Sequence, residues 1–347
     1  MNSLSSISPK KILVCQLRQL GDVILATPSI ELLKRRYPNA ELHLLTEKKC
    51  VPLLENNPFI DTVWSLDKKK LCSLFKEVQW YWKVTQTKFD LVIDFQQLPR
   101  CRWVVALSKA PIRISYTPPW YTKLLYTHSI KPLDGYSAMS KASILRLLGI
   151  EWNGEPPHIY LTQEEKTLAK QRLTTLGLKS KSHLITIDPT HKKNTRRWPI
   201  THYIELLKML VNAKLNLYFL PLWGPGEYKE IQQLINTPEL NNYILLPDNM
   251  LTLREMSACI NEAILHIGNC SAPRHIAVAV DTPSFTILGS TSSAWTYPSD
   301  NHRHIQSNLH CQPCNKNTCN ISTKCLKLVT PQKAAQVILP FIRQLLT

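Results

Sequence analysis

The segment KILVCQLRQLGDVILATPSIELLKRRYPNAELHLLT, residues 11–46, decides the fold. Lys11 to Leu17 is an apolar run of the length and composition of a buried parallel strand. A tight polar turn, Arg18 to Asp22, follows it. Val23 to Arg36 then places Val23, Leu25, Ile30 and Leu33 at helical spacing and stops before Tyr37-Pro38-Asn39. Glu41 to Thr46 reads as the next strand. Strand, helix and strand in that order imply a right-handed parallel crossover. A further strand is expected at Asp90 to Phe95. At Glu151 to His158 the composition turns polar, with a glycine and two prolines, as in a linker. The alternation then restarts. Strands are expected at His183–Asp188, Leu215–Leu220, Ala263–Ile267 and Ser284–Leu288. Helices are expected at Ile200–Val211, Glu227–Ile235, Leu253–Ile260, from about Pro273, and at Pro331–Leu346, the last opening on proline. The reading is an α/β chain of two Rossmann-like domains, residues 1–158 and 159–330, facing a central cleft, with residues 331–347 as a closing helix.

Length and composition agree. The chain has 347 residues, 44% apolar and 19% charged, enough for two buried cores. Nine glycines argue against several glycine-rich nucleotide cradles. The net charge of +17 favours an anionic partner: nucleic acid, an anionic membrane surface or a phosphorylated substrate. No RNA-binding motif or zinc-finger helix supports the first. No apolar run reaches the length of a membrane span, and the polar start, Met1 to Pro9, lacks the apolar core of a secretory signal, so a cytoplasmic location is expected. Of the ten cysteines, six are scattered at 15, 50, 72, 101, 259 and 270.

In open α/β sheets, ligands bind beyond the carboxyl ends of the strands, so chemistry is expected in the loops that follow strands. Asp22 lies in the first such loop. It suits a general base and equally suits a helix cap. Arg18 and Gln19 share its turn. After the strand at 183–188 comes THKKNTRRW, residues 190–198, with cations at Lys192, Lys193, Arg196 and Arg197. These would neutralise a departing diphosphate, or simply be solvated. In WGPGE, residues 223–227, Gly224 and Gly226 permit close backbone approach, and Glu227 suits ribose hydroxyls or a helix start. GNCSAPRH, residues 268–275, joins a strand to a helix whose free N–H groups favour phosphate, aided by Ser271 and Arg274. His275 there reads more simply as a packed helix residue. Cys311, Cys314, Cys319 and Cys325 have a spacing that suits structural zinc, with disulfides or free thiols as alternatives.

Taken together, these motifs in this order resemble glycosyltransferase family 9, the lipopolysaccharide heptosyltransferases. The likeness runs from residues 11–46 through the RRWP and WGPGE segments to GNCSAPRHIAVAVDTPSFTILGST and the cysteine-rich tail. It implies a GT-B fold: an N-terminal acceptor domain, a C-terminal nucleotide-sugar domain and a final helix packing back toward the first. By the same resemblance Asp22 is the catalytic base, and Arg18, Gln19 and Gly21 lie against the acceptor. The donor is held by Thr190, Lys193, Arg196, Arg197, Glu227, Asn269, Cys270, Ser271, Ala272 and His275. The family usually has Asp where this chain has Cys270, and Gly where it has Ala272.

The activity so implied is inverting, metal-independent transfer of heptose from ADP-heptose to a phosphorylated lipopolysaccharide inner core. It requires no cofactor beyond a possible structural zinc, and takes place peripherally at the cytoplasmic face of the inner membrane. Lys68-Lys69-Lys70, Arg100, Arg102 and Trp80-Tyr81-Trp82 could touch that glycolipid acceptor, although each taken singly reads more simply as solvated or core-packed surface. The alternatives are a different nucleotide sugar or acceptor on the same fold, suggested by Cys270, and a non-catalytic binding protein.

Overall fold

The computed structural model describes residues 4–71 and 73–347, so Cys72 and the first three residues of the N-terminal segment lie outside the described residues. The chain divides into two compact units, Met1–Tyr160 and Leu161–Thr347. The second unit includes the closing helix.

The first unit contains β1 (Lys11–Cys15), α1 (Leu20–Ile24), α2 (Thr27–Arg36), β2 (Glu41–Glu47), β3 (Thr62–Leu66), α3 (Leu74–Thr85), β4 (Leu91–Asp94), α4 (Pro99–Ser108), β5 (Ile112–Tyr116), β6 (His128–Ile130) and α5 (Ser137–Ala142). Its sheet is parallel throughout, in the order β3-β2-β1-β4-β5-β6. That is the dinucleotide-fold order, and the strand sequence reverses between β1 and β4. Alternation along the strands builds two cores. Ile12, Val14, Leu42, Leu44 and Ile93 pack on one face with Ile30 and Leu33 of α2. Leu13, Cys15, Leu45 and Val92 pack on the other with Tyr81 and Val84 of α3 and Val104 and Val105 of α4.

The helix expected over Val23–Arg36 is broken into α1 and α2. Pro28 sits in the first turn of α2. It has no N–H to give, and its ring would clash with the carbonyl of Ile24 in a continuous helix. Instead Thr27 Oγ1 donates to that carbonyl at 2.7 Å.

The second unit contains α6 (Gln163–Thr175), β7 (His183–Asp188), α7 (Ile200–Asn212), β8 (Leu217–Pro221), α8 (Tyr228–Ile235), α9 (Leu253–Asn261), β9 (Leu265–Asn269), α10 (Ala272–Ala279), β10 (Ser284–Ile287), β11 (His302–Ile305), α11 (Lys324–Lys327) and α12 (Pro331–Leu346). Its parallel sheet runs β11-β10-β9-β7-β8, which reverses between β7 and β9. Capping boxes start α6, at Thr162 with Glu165, and α9, at Thr252 with Glu255. Strand β9 runs two residues later than its expected position, which carries Asn269 to its very end. Gly268 is required there, because a Cβ would stand 2.9 Å from the Asp188 Cβ on β7.

The closing helix α12 spends its apolar face in this unit. Ala334, Ile338, Phe341 and Ile342 are buried with Trp198, Tyr203 and Phe219, and the Arg303 guanidinium lies 4.0 Å above the Phe341 ring. Trp198 is the hinge of that core. It is fully buried, meets Tyr203 edge-on at 4.8 Å, and donates its indole N–H to the Val329 carbonyl at 2.8 Å. No helix among the described residues is long and apolar enough to cross a membrane.

Trp198→Phe keeps an aromatic ring but leaves the buried Val329 carbonyl without its donor. It is expected to cost about 1–3 kcal/mol in urea denaturation. Unchanged stability would show that the indole bond contributes nothing.

Candidate active site

Both groups of candidate residues stand where a sheet reverses its strand order. In the first unit, the loop after β1 is held by Gln96, just past β4, whose Oε1 accepts the backbone N–H groups of Leu17 and Arg18, both at 3.0 Å. Gln16, fully buried, donates to the Arg18 carbonyl at 3.0 Å and accepts from Lys141 Nζ at 3.1 Å. The same ammonium lies 3.1 Å from Asp22 Oδ1. Asp22 Oδ2 accepts the Gln19 N–H at 3.3 Å. Asp22 therefore caps the start of α1 and is also one half of an ion pair. A quarter of its side chain still reaches solvent. Arg18 and Gln19 are exposed beside it, and Lys49 Nζ donates to Gln19 Oε1 at 3.3 Å. Gly21 is part of α1. Lys141 escaped the sequence reading. It lies 125 positions beyond Gln16, in a helix with no motif, and only the fold brings it to Asp22.

In the second unit the loops after β7, β8 and β9 converge. His191 marks the meeting point. It lies within electrostatic reach of Arg196, Arg197 and Glu227 and is hydrogen-bonded to the Cys270 backbone. Its Nδ1 accepts the Lys193 N–H at 2.8 Å. Burial, then the Arg196 charge, push its pKa down to about 4, so the ring is neutral at physiological pH. Glu227 Oε2 accepts from Thr190 Oγ1 at 2.7 Å and from the Gly224 N–H at 2.8 Å. Gly226, at φ +85°, makes the turn that brings Glu227 round.

The four cations of this loop separate into distinct roles. Lys192 and Lys193 are exposed. Arg197 is committed to Glu230 and, at 2.6 Å, to Asn194 Oδ1. Arg196 instead has a buried Nε with no hydrogen-bond partner. A buried guanidinium donor left open in this way is suited to an anionic ligand.

Around α10, each side chain has its own task. Asn269 is fully buried and fully used: its oxygen accepts the Trp198 N–H at 2.9 Å, and its amide donates to the carbonyls of Asp188 at 3.1 Å and Thr190 at 3.2 Å. Expected as a donor contact, it is a strut that holds the β7 loop against β9. Ser271 turns its hydroxyl to Asp188 Oδ2, so it does not cap α10. Ala272 opens the helix. Cys270 is buried, and Arg274 donates to its sulfur at 3.3 Å and to Thr296 Oγ1 at 2.7 Å. His275 is buried edge-on to Trp295 at 6.0 Å between centroids, which accords with packing.

The cysteines at 311, 314, 319 and 325 do not form the expected zinc site. Among the described residues no group of three or more His, Cys, Asp or Glu side chains is placed to hold a metal ion. Cys325 is buried in the apolar core, whereas Cys311 is exposed; both are free thiols.

Comparison with known proteins decides the family. The model of glycosyltransferase family 9 (heptosyltransferase) matches residues 80–324. The chain belongs to this family. It is 26% identical to lipopolysaccharide heptosyltransferase 3 of Escherichia coli K12 over 301 residues, which is 81% of this chain and 83% of the relative. The family 9 glycosyl transferase of Veillonella parvula superposes with a TM-score of 0.83 at 23% identity, covering 98% of both chains. Escherichia coli heptosyltransferase WaaC, solved with ADP-2-deoxy-2-fluoro heptose, gives a TM-score of 0.70 at 15% identity, covering 94% of this chain and 98% of that one. The fold is thus GT-B, and the protein is an enzyme of the lipopolysaccharide-core heptosyltransferase family.

Asp188 was absent from the expected site. It is buried at the end of β7, and desolvation, countered by the Ser271 hydroxyl and reinforced by Glu227, pushes its pKa up to about 8. An acid whose proton is held more tightly in the folded chain destabilises the fold progressively as pH rises from the unfolded value to the folded one. Wild type should therefore lose stability relative to Asp188→Asn between about pH 4 and pH 8, with no further change above that. Denaturation at a series of pH values checks it, and a difference that does not vary with pH would contradict the buried acid.

Proposed function

We propose that this enzyme transfers heptose from ADP-heptose to a phosphorylated lipopolysaccharide inner core, with inversion and without metal. The first unit takes the acceptor, and Asp22 removes the proton from its attacking hydroxyl. Lys141 and the Gln19 N–H fix the carboxylate from two sides, and its solvent-reached edge is left for the hydroxyl. The second unit takes the donor. Arg196 neutralises the diphosphate as the sugar departs, helped by Lys193 and by the N–H groups at the start of α10. Glu227 Oε1 receives ribose hydroxyls while Oε2 stays bound to the protein. Lysine and arginine supply the positive charge that the leaving group needs, which is why no metal is invoked. The acceptor is a glycolipid, so the enzyme works peripherally at the cytoplasmic face of the inner membrane.

The observation that carries this reading is the open, buried Arg196 donor in the same loop cluster as Glu227. The fluorinated ADP-heptose in WaaC supports the choice of donor. Cys270 favours a second reading, in which another sugar is carried. A thiol accepts hydrogen bonds weakly, and this one already takes the Arg274 donor.

Asp22→Asn should lower turnover by about 10²-fold or more, the scale of general-base loss, and leave ADP affinity unchanged. Arg196→Ala should weaken ADP binding by roughly 1.5–3 kcal/mol in calorimetry, the scale of a hydrogen bond to a charged group. Near-normal turnover in the first variant, or unchanged ADP affinity in the second, would contradict the assigned role. Transfer from a different nucleotide sugar but none from ADP-heptose would establish the second reading.

A further inference from the structure

One side of the first unit is apolar where a soluble surface should not be. Helices α3 and α4 cover the same sheet face, with Tyr81, Val84, Val104 and Val105 turned inward. Their outward rows are apolar as well. On α3, Leu74 (83% exposed), Phe75 (77%), Val78 and Trp82 recur at helical spacing. On α4, Trp103 and Leu107 do the same. The short 3-10 turn at Trp120–Leu125 packs against α4 and adds Trp120 (87%), Tyr121 and Leu124 (95%). Arg102 of α4 stacks over the Tyr121 ring at 5.7 Å, which ties the two elements together. A contiguous exposed patch of this kind marks an interaction surface.

Its charge says what covers it. From Lys68 to Leu124 the chain carries 11 lysines and arginines against 3 acidic residues. All three acids are already engaged. Glu77 pairs with Arg100 and accepts from Tyr81, Asp90 accepts the backbone N–H groups of Lys10 and Lys11, and Asp94 is buried. Lys83 and Lys123 are exposed on the same elements as the aromatic rows, with the Lys68–Lys70 run just before α3. A second copy of this chain would bring its own +17 against this face. Lys68 is held by Glu47 and Arg100 by Glu77, which leaves Lys83 and Lys123 among the exposed cations on these elements. Exposed Trp, Phe and Leu beside such cations fit the boundary between headgroups and acyl chains of an anionic bilayer.

We propose that the face formed by α3, α4 and the Trp120–Leu125 turn docks the enzyme on an anionic lipid surface, with Phe75, Trp82, Trp103, Trp120 and Leu124 entering the interface. This deepens the reading of a glycolipid acceptor and rests on it for its purpose. The sequence alone pointed at Trp80-Tyr81-Trp82 and at Arg100. The structure separates them: Tyr81 is packed in the core, Arg100 is paired, and Trp82 alone of the three aromatics is exposed.

The test is sedimentation with vesicles, either phosphatidylcholine alone or phosphatidylcholine with a third phosphatidylglycerol. Wild type should bind the anionic vesicles at least tenfold more tightly than the neutral ones. Phe75→Ala/Trp120→Ala/Leu124→Ala and, separately, Lys83→Glu/Lys123→Glu should each lose at least tenfold of that binding. All these side chains are exposed, so melting temperature and ADP affinity should not change. The apolar variant should keep its rate on a detergent-free, delipidated core oligosaccharide and lose rate on acceptor embedded in vesicles. Vesicle binding equal to wild type in the apolar variant would overturn the proposal. So would a wild-type dimer in sedimentation velocity that the variant disperses, since the face would then be an interface between copies. If no acceptor is glycosylated but the vesicle results hold, the proposed reaction fails and the docking face stands.

Discussion

The second unit depends on how Asn269 is used. Two parallel strands that reverse the order of a sheet must send their following loops in opposite directions, and nothing in the ladder itself holds those loops together. Asn269 does so at the end of β9, with one oxygen and one amide group bound to three backbone groups of the loop after β7. Gly268 lets the strands approach closely enough for this, and Trp198, whose N–H is one of the three groups, anchors the far end of the loop in the core shared with α12. With the backbone fixed, the cations of the loop cannot all turn toward solvent. Arg197 finds Glu230, and the Nε of Arg196 is left buried and open. The arrangement proposed to hold the donor therefore depends on one buried amide.

The first unit meets the same topological demand with other residues. Gln96 clamps the loop after β1 from the neighbouring strand β4, and Gln16 connects that loop to Lys141. A buried lysine with a single partner is costly, whereas one held between an amide oxygen and a carboxylate is not. Asp22 thus has a fixed position before any acceptor arrives. The two units share a principle of construction without sharing a sequence repeat: a side-chain amide at the point where strand order reverses holds the loop that carries the candidate site residues.

The sequence made the long, strongly patterned elements legible. Apolar runs such as KILVCQL and HLITID, and the proline-opened helix at Pro331, carry signals that tertiary context does not override. Motif loops were legible for the same reason: residue types unusual for a loop, such as four cations or a glycine pair, stand out. Strands β3, β5, β6 and β11 went unread, because they are short or lie toward a sheet edge with mixed polarity. Helix α4 went unread because apolar residues on both its inward and outward sides blur the helical periodicity, and its outward row is part of the docking face. At the sites, sequence showed which residues could act and not which were occupied. Asn269 looks like a sugar-binding amide until its three backbone bonds are counted. Asp188 looks like the last residue of a strand until Ser271 turns toward it, and Lys141 has no local signal at all. The cysteine spacing suggested a metal site, and the other three thiols do lie within electrostatic reach of Cys325, but among the described residues no three of them are placed to hold an ion.

The central claim, heptose transfer with inversion from ADP-heptose, is tested most directly by the product. Purified enzyme is incubated with ADP-heptose of defined anomeric configuration and core oligosaccharide from a strain lacking this protein, and the product is read by mass spectrometry and by NMR of the new anomeric centre. The account predicts one added heptose whose anomeric configuration is opposite to that in the donor. An unchanged acceptor mass, or a heptose added with retained configuration, would contradict it.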